Sequence, residues 1–578
     1  MGRMPSRTPI ALCLILFAWT GLQAGCTSPI IRSQTPENES LVEETKIRKV
    51  RDLCRPWGLR DMTVEGISVT SNLDSTGSDP PAGPQRQMIL EDMKRRGVDE
   101  PNTFLSLPTT SLVIARGKIP PGARKGDRMD VEIMVPSRST TASLRNGWLM
   151  QTRLQEMAVL GNRLRTGEPL ALASGAVLVD AFMEGEGDET AEVRGRILGG
   201  ALVTKPRSLG LLIESESRSA RASAYIGDAI NRRFHTFDRG TKRGVATPKR
   251  DSFIELAVHA RYRNNLVRYL RVIQAIPLRE TASGRIDRLS YLEGDLLEPK
   301  KSLDAAIQLE AIGQESIPVL LVGLESESPI VRFASAEALA YLEKTEAIPH
   351  LQEAAMGESA FRWHAITALG SMVHSDAREA LSELIHESSD ETRYAAFEAI
   401  LDSNPRDPVV RGEVLGEAFS LHEIPTGTEP LVHIRKSKRP EIVLFGQDIR
   451  LATPTAIFAG KQIMVKSDGP NRFKVSRFEL GKEDLVEYCS DSLNDIIRMI
   501  VKLDGSYTDV VAAINDAKRN GSLSARVKFD SLPKPGRAYD LETESVEEPI
   551  EAEPLGPAEV DLSEALNHTL TVHVRSVV

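Results

Sequence analysis

Three stretches of this 578-residue chain copy one another, and no other feature limits its fold so tightly. They run Pro318–Leu342, Ile348–Met372 and Ala377–Leu401. Arg332, Arg362 and Arg393 stand 30 and 31 residues apart, and each is followed at equal steps by apolar residues. Ala336, Ile366 and Phe397 take the first step; Leu339, Leu369 and Ile400 take the second. Those steps return to one helix face. Ile317-Pro318 recurs as Ile348-Pro349, and proline suits a first helical turn because its missing N–H has no partner there. A single helix pair cannot bury its own apolar face, so such copies must stack, and about three are the minimum. The spacing predicts an all-α array over residues 300–402, with Asp304–Ile312 as a capping helix.

Arrays of this kind bind partner surfaces far more often than they catalyse. The repeated arginines have two readings, as framework residues bonding neighbouring loops or as contacts to a partner protein. Four of the ten histidines (His350, His364, His374, His386) fall in the array. His386-Glu387 begins like a zinc helix, but the second histidine is missing and the repeat calls for a helix end there, so a solvated turn is expected. No Gly-x-Ser-x-Gly elbow, phosphate loop or zinc signature stands in the chain, and no catalytic residue, cofactor or metal is expected. The net charge of −9 argues against wholesale nucleic-acid binding. The length suggests three or four units of ~100–200 residues each.

Arg3 and Arg7 precede a short apolar run, Ile10–Trp19. A bilayer span needs about 20 residues, so 1–26 reads as a cleaved signal. Leu22-Gln23-Ala24-Gly25-Cys26 resembles the bacterial lipoprotein signal, in which the cysteine is lipidated and tethers the protein to a membrane. Gln23 departs from the aliphatic or small residue usual there, and ordinary secretory cleavage is the alternative. Residues 27–45 read as a tether. Cys54 and Cys489 either pair in an oxidising compartment or stand as separate thiols.

Ahead of the array, alternation predicts strands around Val64–Val69, Leu112–Arg116, Met129–Val135, Leu172–Val179, Val193–Leu202 and Phe253–Ala260. Helices are predicted over Gln85–Gly97, Ser217–Phe234 and Tyr262–Leu278. In the second of these Ala222, Ile226, Ala229, Ile230 and Phe234 share a face, and Ser217 or Ser219 caps the start. Beyond the array, Pro440–Lys466 reads as two strands about a turn. Tyr507–Phe529 reads as a helix with Val510, Ile514 and Ala517 buried, ended by Asn520-Gly521, then a strand.

The wording of these flanks resembles the flagellar basal-body P-ring protein family. The resemblance is carried by SARASAYIGDAINRRF, by Pro120, Pro121, Gly126, Arg128, Asp130 and Val131 in GKIPPGARKGDRMDV, and by YTDVVAAINDAKRNGSLSARVKF. SPIVRFASAEALAYL is similar to the second helix of HEAT-type repeats. The resemblance implies an α+β fold: a mixed α/β ring-protein body in two segments, 46–278 and 431–530, interrupted by the HEAT-like solenoid. Linkers are expected at 279–299 and 403–430. An acidic Pro/Glu-rich tail, 531–578, ends in an alternating run, Leu570–Val578. The function implied is a structural, non-enzymatic periplasmic subunit that assembles with itself into a ring around the flagellar rod. The alternative is a lipid-anchored envelope scaffold whose repeats, 300–402, recognise another envelope protein outside the flagellum. On either reading, the two ring-type segments are expected to belong to one folded unit.

Overall fold

The computed structural model describes residues 47–160, 163–179, 189–416, 419–479, 481, 483–540 and 572–573. The signal, Cys26 and the tether lie outside the described residues, as does most of the acidic tail.

The first segment builds a barrel. The first eight strands of this segment, all but β1 belonging to the barrel sheet, are β1 (Cys54–Trp57), β2 (Met62–Ser71), β3 (Ser111–Ile119), β4 (Arg128–Met134), β5 (Trp148–Leu160), β6 (Arg163–Ala176), β7 (Leu178–Val179) and β8 (Arg194–Val203). Six of these run in the order β4-β3-β2-β5-β6-β8, with β7 beside β8. Strand β8 pairs back onto β4, which closes the sheet and leaves those six without a free edge. Alternate residues such as Val64, Val113, Ala115, Val131 and Leu154 fill the interior. Helices α1 (Pro84–Arg95) and α2 (Pro101–Leu105), in the β2–β3 connection, seal a small separate core through Ile89, Met93 and Leu105.

A second sheet follows. Strand β1 pairs with β9 (Leu209–Ile213), and a hairpin of β10 (His235–Asp238) and β11 (Thr241–Gly244) precedes β12 (Ala246–Arg250) and β13 (Phe253–Leu256). The sheet order is β1-β9-β13-β12. Helix α3 (Ala220–Arg233) packs on it through Ile226, Ala229 and Ile230, and the Ser219 hydroxyl accepts from the Ala222 N–H as its cap. Helix α4 (Leu266–Ala275) buries Tyr269, Leu270, Val272 and Ile273 beside it.

The expected linker 279–299 is instead a helix, α5 (Ala282–Leu297), capped by the Thr281 hydroxyl. Leu289, Leu292 and Leu296 have helical spacing, but Arg285, Asp287, Arg288 and Glu293 among them mask it in the sequence. Arg288 is itself buried, because Glu280 lies 2.7 Å from it. Helix α6 (Ser302–Ile312) leads into three pairs: α7 (Ile317–Leu324) with α8 (Pro329–Tyr341), α9 (Ile348–Met356) with α10 (Ser359–Ser371), and α11 (Ser375–Leu384) with α12 (Asp390–Ser403).

The expected linker 403–430 also holds structure, β14 (Gly412–Leu415) and β15 (Phe419–Ile424). Ser420, His422 and Glu423 break the apolar signal of β15 in the sequence. With β16 (Leu431–Ile434), β17 (Glu441–Phe445) and a late strand, these form a five-stranded mixed sheet. Next come β18 (Ala456–Ala459), β19 (Ile463–Ser467), β20 (Arg472–Arg477) and β21 (Leu485–Ser490), a four-stranded antiparallel sheet. Pro440–Lys466 thus supplies three strands, not two. Helices α13 (Leu493–Lys502) and α14 (Tyr507–Arg519) bury Ile496, Ile500, Val510, Ile514 and Ala517 in the core shared with both sheets, and β22 (Arg526–Phe529) completes the five-stranded one. Last, β23 (Tyr539–Asp540) pairs in parallel with β24 (Val572–His573), which gives the terminal run its partner.

The two ring-type segments touch and share no sheet, and the barrel itself joins the second segment's main core only through Leu198 at its margin. The barrel has its own core, and residues 419–525 have another. Contact is made at a barrel corner, where the Asp130 carboxylate accepts from the Gly199 and Lys438 N–H groups at 2.7 and 2.8 Å. Gly199 has φ +57°, and a Cβ there would stand 2.3 Å from the Lys438 carbonyl oxygen, so only glycine allows this approach. Continuity runs elsewhere: one core extends from α3 and α4 through every repeat to Val443 and Phe445.

Candidate functional site at the two ends of the repeat array

Each end of the array is joined to its neighbour by a buried ionic network. At the first end, Arg268 of α4 reaches into the repeats. Its guanidinium lies 2.5 Å from Glu310 of α6 and 2.5 Å from Glu337 of α8, with Arg268, Glu310 and Glu337 exposed by only 8%, 0% and 3%. The Tyr262 hydroxyl donates to Glu310. Tyr262 stacks on Tyr341 at 4.6 Å, and Arg268 lies over the Tyr341 ring. His364 of α10 stands 3.5 Å from Glu337.

Burial by itself would push both carboxyls up. At Glu337 the Arg268 charge and His364 outweigh it and hold the group at about 2. At Glu310 burial wins over Arg268, and the shift is upward. One guanidinium is therefore shared between two carboxylates in a dry site, where attraction is strong but desolvation is costly. The cavity beside Arg268 and Glu337 measures about 20 Å³, room for one water.

At the far end, Arg435, beside β16, is wholly buried. Its guanidinium donates to the Glu398 carboxylate of α12 and to the Tyr394 hydroxyl, both at 2.9 Å. Tyr394 in turn donates to Glu441 of β17 at 2.8 Å, and Arg439 donates to the other Glu441 oxygen at 2.7 Å. The His433 ring stacks on Tyr394 at 3.5 Å. Burial, then the Arg435 charge, drive His433 well below the usual imidazole range. Burial also lowers His422. Both rings are neutral at pH 7, and the His422 Nδ1–H donates to the Val410 carbonyl at 2.7 Å.

The repeated arginines sit between these ends. Arg332 donates to the carbonyls of Ser326 and Glu327. Arg362 donates to those of Ala355 and Gly357. Arg393, fully buried, donates to Glu387 and Glu429. Each reaches at least one carbonyl at or beside the turn ahead of its own helix, and Arg393 also bonds Glu429, which follows it. Cys54 and Cys489 are free thiols in separate sheets, so no bridge joins them in this structure. Burial raises Cys54 to about 12 and Cys489 to about 11. Among the described residues no group of His, Cys, Asp or Glu could hold a metal ion, and no helix is long and apolar enough to cross a membrane.

Sequence reasoning missed Arg268, Glu310, Glu337, Tyr394, Arg435 and Glu441. A signal existed for two: Glu337 interrupts Ala336 and Ala338, and Glu310 lies between Leu309 and Ala311, each a charge on an apolar face.

One surface stands apart. Five exposed large apolar residues (Phe458, Phe478, Leu485, Val486 and Tyr488) lie on or beside the four-stranded sheet. Phe458, Met464, Ser476 and Val486 form one cross-strand row, exposed at Phe458 and Val486 and buried at Ser476. Strand β21 is an edge, paired only with β20.

A closed barrel and an α/β module thus flank a helical array whose core runs into both neighbours. Residues 49–286, which hold the barrel, α3 and α4, match the family model described as Flagellar P-ring protein. Residues 331–355 match the PBS lyase HEAT-like repeat. The flagellar P-ring protein of Wigglesworthia glossinidia brevipalpis is 28% identical over 247 residues, 40% of this chain and 62% of that protein. That of Thermotoga maritima is 26% identical over 41% of this chain and 69% of its own length. That of Sodalis glossinidius is 29% identical over 34% and 54%. The chain thus spans about half to seven tenths of the curated relatives it matches, and carries a P-ring-type region joined to HEAT-like repeats.

Proposed function

We propose that this protein is a structural, non-enzymatic subunit of a periplasmic ring of the flagellar P-ring type, assembling around the rod, with itself and the rod proteins as partners. The observation that carries this reading is the family match over 49–286, which covers the closed barrel and the helices on which the array is built. The array then acts as a strut: its two buried networks fix the second module relative to the barrel. The open edge of β21 and its apolar face support packing against the next copy. One surface meeting a different surface on the next copy closes into a ring when the rotation allows.

Native mass measurement of the mature protein is expected to give closed species of many copies. Val486→Asp with Tyr488→Asp, both on exposed side chains, should reduce them to small species of unchanged fold. A stable monomer in the unsubstituted protein overturns the reading. Lipid tethering at Cys26 is part of the proposal, and Cys26→Ser should release the protein from the membrane fraction; retention there removes the anchor. The HEAT-like match within 300–402 favours a second reading, a scaffold that captures one envelope protein outside the flagellum. A monomer that retains one partner through 300–402 selects it.

A further inference from the structure

The array also completes a groove that neither neighbour has alone. It lies between the C-terminal turn of α3, the segment 276–281, the start of α5 and the turn after α6, and encloses about 810 Å³. Its charges do not balance. Arg285 lies against Glu315 and Glu280, and Arg288 against Glu280, so two cations meet two carboxylates. Arg232 and Arg279 line the same groove, are exposed, and have no carboxylate partner among the described residues. Arg279 rests over the Tyr225 ring. Arg233 spends its Nε–H on the Glu310 carbonyl at 3.0 Å and lies over Phe234, while its buried Nη2 finds no acceptor. Two positive charges, Arg232 and Arg279, are therefore left over, and Arg233, whose charge also acts on the buried Glu310, adds a desolvated donor waiting for an acceptor.

We infer that this groove binds an acidic peptide segment of a protein partner. Guanidinium groups bind carboxylates strongly, and the groove already holds one such pair, with the Arg285 Nη1 at 2.8 and 2.9 Å from the two Glu315 oxygens. Its volume exceeds what one small anion fills, and Tyr225, Ile276 and Ile312 give it an apolar wall for the aliphatic part of a peptide. Arg232, Arg233 and Arg279 come from the P-ring-type region, while Gly313 and Glu315 come from the array side. A partner seated there reads both parts at once. The inference does not depend on ring assembly.

The test is fluorescence anisotropy of a labelled oligoglutamate peptide with the full mature chain. Saturable binding is expected at about 0.05 M salt and should vanish near 0.5 M as the charges are screened. The pair Arg232→Ser and Arg279→Ser, on exposed side chains, should weaken it at least about tenfold, while Arg95→Ser on α1 leaves it unchanged. Circular dichroism checks that the variants remain folded. Absence of saturable binding overturns the inference, as does equal affinity in the double variant. Binding of inorganic phosphate or of anionic phospholipid vesicles without binding of oligoglutamate also overturns it, and marks the groove as a phosphate or headgroup site.

Discussion

Arg268→Met is expected to destabilise the protein by about 3–5 kcal/mol, because it leaves two buried carboxylates without their shared cation. Methionine keeps much of the side-chain bulk, so the loss reads charge rather than a cavity. Denaturant unfolding followed by helical circular dichroism measures it, and limited proteolysis should show new cleavage between α5 and α8. Neutralising the two partners as well, with Glu310→Gln and Glu337→Gln, should restore most of the loss, since a buried ion cluster is worth little over neutral groups that fit. A shift below about 1 kcal/mol in the single variant would mean that this junction does not hold the array to the body. The acid limb follows in sign. Glu337 is held at about 2 against an ordinary 4.5, so its contribution is present above 4.5 and is lost as pH falls toward 2. Glu310, raised by burial, contributes the opposite slope above its ordinary value. Glu337→Gln should therefore flatten the loss of stability between pH 4.5 and 2.

Arg435→Met tests the far junction. Its side chain is 0% exposed, and its removal takes from Glu398 and the Tyr394 hydroxyl their buried donor between α12 and the five-stranded sheet, leaving Glu398 only the more distant Lys438 at 3.7 Å. A loss of about 3–5 kcal/mol is expected, seen as lost hydrogen-exchange protection in β16 and β17 while the barrel strands keep theirs. Unchanged exchange in β16 and β17 would mean that the second module stands without the array. The two junctions share no partner, so the double variant should show the sum of the two losses within about 0.5 kcal/mol.

Both predictions treat the repeats as part of the frame, where the sequence alone set them off by linkers at 279–299 and 403–430. Their period was legible because Arg332, Arg362 and Arg393 and the apolar residues after them recur along one dimension. Helix α3 was legible for the same reason, down to a serine at its cap. The α5 helix was not, because Arg285 and Arg288 look like solvated residues until Glu280 and Glu315 are placed beside them.

Local periodicity, turn chemistry and the family wording of the flanks were thus determined by the chain as written, since each depends on residues a few positions apart. Barrel closure by β8 on β4, the contact of Lys438 with Asp130 across 308 positions, and the partners of Arg268 and Arg435 were decided only by tertiary structure. A strand edge or a buried charge carries no mark of which distant group will satisfy it, because that group is chosen by how the elements pack and not by spacing along the chain.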